Sequence, residues 1–124
     1  MAVYVDDARL RYGRLIMSHM WADSRAELLA MADRIGVARH WLQEPPKASW
    51  MHFDVCQAKR EAAIRAGAIV TDRYGPREHL ARIDAASRDP AQRRRGEIVL
   101  DQIARSRARR TRPASELPLF GRAS

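Results

Sequence analysis

Short apolar segments that end in Asp or His limit what this chain can fold into more than any other feature. Val3-Tyr4-Val5 is closed by Asp6 and Asp7, Leu15-Ile16-Met17 is followed by His19 and Asp23, and Phe53 is flanked by His52 and Asp54. Segments ending this way, joined by short helices, gather a polar site at one edge of a small α/β sheet. The chemistry of the chain is therefore expected where those segments end.

Punctuation along the chain sets the elements. Ala2–Asp6 reads as a first strand, Ala8–Arg14 as a loop around Tyr12-Gly13, and Leu15–Trp21 as a second strand or an ordered loop. Ser24 and Glu27 form a capping box for a helix that carries Leu28, Met31, Ala32 and Ile35 at helical spacing and stops at Gly36. Val37–Gln43 reads as a strand that Pro45-Pro46 prevents from continuing, and residues 44–51 as a surface loop. Asp54, with Gln57 three residues on, reads as the N-cap of a helix over Val55–Ala66, and Ala68–Thr71 as a last strand.

The expected architecture is α/β: a small sheet of about four short strands with flanking helices over residues 1–75, plus a basic helical C-terminal extension over 76–110. Pro76 and Asp89-Pro90 mark the starts of its two helices, and 111–124 reads as a flexible tail. At 124 residues, 46% of them apolar, there is enough for one modest core. Without a long apolar run or a basic, apolar leader, the expected compartment is the cytoplasm. The single cysteine, Cys56, excludes an internal disulfide and a cysteine-based zinc cluster.

Of the net charge of +8, residues 1–75 carry +2 (11 basic, 9 acidic) and residues 76–124 carry +6 (12 basic, 6 acidic). A basic C-terminal helix suggests nucleic acid as a partner; an arginine bias, with lysine only at 47 and 59, accounts for the same numbers without one.

Val5-Asp6-Asp7-Ala8, His19-Met20-Trp21-Ala22-Asp23, Trp41-Leu42-Gln43 and His52-Phe53-Asp54 followed by Lys59-Arg60, in that order, resemble a small bacterial and phage family catalogued only as a domain of unknown function. The resemblance covers residues 2–75 and implies a compact domain with no stated activity.

Asp6 and Asp7 at a strand end suit a divalent ion, Mg²⁺ or Mn²⁺, with one of them alternatively capping the turn that follows. Asp23 joins them as a candidate metal ligand, four residues from His19, or else faces the dipole of the next helix. His52 and Asp54, two apart, share a face if extended; with His19 they are the candidate catalytic groups. Lys59 and Arg60 are the candidate phosphate contacts, alternatively a solvated helix face. Trp21 and Trp50 are candidate stacking surfaces for a substrate, alternatively packing. Leu117, Leu119 and Phe120, in Glu116-Leu117-Pro118-Leu119-Phe120, resemble the peptides that dock on the bacterial replication sliding clamp, with Glu116 where those begin with Gln. Two functions are expected from these features. One is a metal-dependent hydrolase or nuclease-like protein acting on a phosphate-containing or nucleic-acid substrate. The other is a non-enzymatic nucleic-acid-associated binding module that uses the basic helix and the tail.

Overall fold

A computed structural model describes residues 2–111. The candidate clamp-docking residues Leu117, Leu119 and Phe120 lie outside the described residues. The chain divides after Pro76 into two compact units.

The first unit is mixed α/β. Its strands are β1 (Val3–Val5), β2 (Leu10–Tyr12), β3 (Leu15–Ala22), β4 (Phe53–Cys56) and β5 (Ile69–Val70), with helices α1 (Arg25–Ile35) and α2 (Gln57–Arg65). The eight-residue β3 organises the sheet. Met20 pairs with Val5 of β1 and with Phe53 of β4, and Met17 pairs with Leu10 of β2 and Cys56 of β4. Since a strand has two hydrogen-bonding edges, β4 takes one and β1 and β2 share the other. β5 then adds to β1 in parallel.

Strand alternation sorts the side chains. Val3, Val5, Met20, Ala22, Phe53 and Val55 bury against Leu28, Leu29, Met31, Ala32 and Ile35 of α1 and Ala63 of α2, making one core on one face. Tyr4, His19, Trp21 and Asp54 therefore point from the opposite face. The helix that covers the core starts and stops where its local chemistry says. Ser24 Oγ accepts from the Glu27 amide and donates to the Glu27 carboxylate, and Gly36 takes the left-handed conformation at φ 78°.

Three elements differ from their sequence expectations. Ala8–Arg14 is not a loop: it contains β2 and a two-residue turn, in which Gly13 at φ 61° lets β2 fold back on β3. Val37–Gln43 is not a strand but a short 3₁₀ turn at Arg39–Trp41, closed by bonds from the Trp41 and Leu42 amides to the Ala38 and Arg39 carbonyls. Only Gln43 of this stretch makes a bridge, exchanging both backbone bonds with His52, the residue before β4. Asp54 does not cap a helix: it lies inside β4, and α2 begins at Gln57 with Cys56 at the N-cap. Burial of Phe53 and Val55 on alternate positions of β4 outweighs the local cap signal. The sheet thus has five strands, two of them not expected and one expected strand absent.

The second unit is helical, with α3 (Gly75–Ala85) running into it and α4 (Pro90–Arg110) completing it. Asp89 caps α4 by accepting from the Ala91 amide, and Pro90 opens it. No helix among the described residues is long and apolar enough to cross a membrane. Gly96 lets α4 approach α3: a Cβ there would stand under 3.0 Å from the Ala81 carbonyl and the Ala85 amide. Gly96→Ala is expected to cost about 1–3 kcal/mol by this overpacking, read as a lower denaturant midpoint of the helical circular dichroism. An unchanged midpoint would mean that the two helices separate freely.

Candidate metal centre

The register that builds the sheet also builds the site. Val5 opposite Met20 places Asp6 opposite His19, and His19 in turn sits opposite Asp54. Asp6, His19 and Asp54 thus form one row across three adjacent strands, on the face away from the core. In the neighbouring row Tyr4 is opposite Trp21, and continuing the β4 register brings His52 beside Trp21.

Asp6, 2% exposed, is the anchor. One of its carboxylate oxygens accepts from the amides of His19 (2.8 Å) and Ala8 (3.2 Å), and the other meets His19 Nδ1 at 2.7 Å. Because a carboxylate only accepts, His19 Nδ1 carries the hydrogen, and in the neutral ring Nε2 presents its lone pair on the far side. His52 is set the same way by a different acceptor. Its Nδ1 donates to the Trp50 carbonyl at 3.1 Å, and the Trp50 ring stacks on the imidazole with centroids 4.2 Å apart and planes 14° off parallel. Asp54 is held from behind by Gln43, whose amide donates to Oδ2 at 2.6 Å, leaving Oδ1 to the histidines.

His52 Nε2 lies 3.5 Å and His19 Nε2 4.0 Å from Asp54 Oδ1. The three side chains offer ligand atoms that all fall within 4.8 Å of one another. A tetrahedral ion with bonds of about 2.1 Å separates its ligand atoms by about 3.4 Å, so closure asks for small movements. Asp54 is 38% exposed on its side chain, while His52 is nearly buried, so the cluster opens to solvent on the Asp54 side.

Protonation follows from these contacts. Burial alone would push the Asp6 carboxyl up, but the hydrogen bonds from His19 hold it below its ordinary value. The bond to Asp6 raises His19, against its burial and with help from Asp54. Burial lowers His52, against the pull of the Trp50 carbonyl and of Asp54. Two imidazoles on one site are thereby pushed apart, and His52 is kept neutral with a free Nε2 lone pair.

A match over residues 3–86 relates this chain to a protein family. The chain belongs to DUF4031, a family of proteins of unknown function. The matched span takes in the whole sheet and all the residues of this cluster, and it ends one residue past α3. No curated protein and no solved structure matches the chain.

The other candidate residues offer no atom to the donor cluster, although Trp50 packs against it. Asp7, about half exposed, pairs with Arg9 at 2.8 Å. Asp23 accepts from the Ala2 amide and the Tyr4 hydroxyl, tying the start of β1 to the end of β3. Lys59 donates to the Ile35 carbonyl at the end of α1, and Arg60 Nε donates to the Asp6 carbonyl at 2.8 Å. Trp21 is buried and stacks on Tyr4, and Trp50 meets it edge-on at 5.8 Å. Gln43 and the outer role of Asp6 escaped sequence reasoning. A usable signal was present in the repeated i, i+2 spacing of Tyr4-Asp6, His19-Trp21 and His52-Asp54, which marks one face of three strands.

Proposed function

We propose that this protein is a metal-dependent hydrolase whose ion is held by His19 Nε2, His52 Nε2 and Asp54 Oδ1. One observation supports this above all. Three donor atoms converge while the other polar atom of each of the same side chains is already engaged, by Asp6, by the Trp50 carbonyl and by Gln43. Backing of each ligand from outside is what metal sites use to orient ligands. Two imidazoles and one carboxylate suit Zn²⁺ or Mn²⁺ better than Mg²⁺, which prefers oxygen donors. Three protein ligands would leave a position for water, whose pKa a Zn²⁺ ion there would bring down to about 7. The substrate class we infer is a phosphate ester, whose oxygens the ion itself would bind, since Lys59 and Arg60 donate to backbone carbonyls instead.

Metal titration by calorimetry and thermal melting tests the site, and a chromogenic phosphodiester tests the chemistry. At a hundredfold excess over Kd, the ion is expected to stabilise by about 2.7 kcal/mol, a rise in Tm on the order of 10 °C. Metal-loaded protein is expected to hydrolyse the phosphodiester, and His52→Ala to lose both responses. No uptake of Zn²⁺ or Mn²⁺ would overturn the site; tight uptake with no turnover of phosphate or carboxylate esters would overturn the hydrolase.

A further inference from the structure

We infer that an exposed arginine stripe of α4 binds a nucleic-acid backbone. The exposed positions Arg95, Ile98, Gln102, Arg105 and Arg109 recur at spacings of three and four, so they form one stripe that flanks the buried Gly96 and Ile103, with Arg77 of α3 donating to Gln102 at its edge. From Arg95 to Arg109 the stripe is about 21 Å long, the length of about six base steps at 3.4 Å each.

The acidic residues nearby leave this face positive. Glu78 is engaged by Arg82 and Arg107, Asp84 by Gln92, and Asp89 by the start of α4. Glu97 reaches Arg94 at 3.8 Å and Asp101 reaches Arg105 at 3.0 Å, with both arginines over 70% exposed. Pairs so exposed hold weakly, and phosphates compete with them readily. Arg88, Arg95, Arg109 and Arg110 have no carboxylate partner among the described residues.

The chemistry of this face selects nucleic acid over an anionic membrane. The stripe offers a single large apolar residue, Ile98, and so has no apolar face to bury in lipid. Its cations are all arginine, whose planar fork grips phosphate oxygens two at a time. A linear array of such forks fits a linear array of phosphates. α4 lies past the span matched to the family.

The test is fluorescence anisotropy of a labelled 20-base-pair DNA of scrambled sequence with the full chain, over a range of salt. Binding is expected to weaken as salt rises, with a log–log slope of about −0.9 for each phosphate contacted. Arg95→Gln, Arg105→Gln and Arg109→Gln together are expected to weaken binding at least about tenfold and to flatten the slope by about 2.7, three contacts' worth. The same change at Arg14, Arg34 and Arg65 of the first unit is expected to leave binding within about twofold, as a site-specific contact requires. If the α4 triple variant loses its helical circular dichroism, the single variants decide, each flattening the slope by about one. Absence of binding at low salt, equal losses from the two triple variants, or binding to phosphatidylserine vesicles in place of DNA would each overturn the proposal. Binding that survives His52→Ala supports it independently of the metal site.

Discussion

Asp54→Asn is expected to abolish metal binding, weakening it more than any change behind the ligands. The amide keeps the shape of the side chain but cannot keep its function. Gln43 donates to Oδ2, so the asparagine will turn its carbonyl oxygen toward Gln43. Its NH₂ then occupies the place of Oδ1, facing the lone pairs of His19 and His52 and filling the ion's position with two hydrogen bonds. The variant should fold well for the same reason that it should not bind. Asp6→Asn acts one step further out. It removes the charge that orients His19 and is expected to cost about 10–100-fold in affinity. Asp7→Asn, at an exposed carboxylate paired only with Arg9 among the described residues, should leave affinity unchanged. Calorimetric titration of the three variants with Zn²⁺ gives the ranking directly. Equal losses from Asp54→Asn and Asp7→Asn, or no loss from either, would sink the assignment of ligands.

The α/β class and the position of α1 were legible because each rests on local chemistry: short apolar runs, a capping box, a glycine stop. Asp54 shows where local reading ends. Asp54 and Gln57 have the spacing of a helix start, and that signal is worth about 1 kcal/mol. Burying Phe53 and Val55 against α1 and α2 is worth several times more, so the strand runs through Asp54 and the helix starts later. The pairing of His52 with Asp54 on one face was legible, since it needs only strand alternation. Bringing His19 to them was not, because it depends on which residue of β3 faces Asp54, and register is a property of the assembled sheet. Gln43 was illegible for a related reason. It reaches Asp54 through a single bridge to His52, next to a turn whose sequence resembles a strand.

Phe53→Ala is expected to be the most destabilising single change in the sheet, and to disturb the site without touching it. Phe53 is fully buried on the core face, opposite Met20 in the ladder, and its two chain neighbours are the ligands His52 and Asp54. The side chain that holds β4 to the core therefore also fixes the two residues that point the other way. Truncation leaves a cavity and should cost about 3–5 kcal/mol, out of a total on the order of 5–15 kcal/mol for a domain of this size. A fall in Tm of roughly 15–30 °C follows. Trp41→Ala, at a site 65% exposed, should change stability by less than about 0.5 kcal/mol. Saturating Zn²⁺ should restore part of the loss in Phe53→Ala, because binding adds to the folded state alone. It should also bind the variant more weakly, because part of its binding energy is spent re-forming the strand. A Phe53→Ala protein that melts within a few degrees of the parent and binds Zn²⁺ as tightly would show that the ligands are held by something other than the core of the sheet.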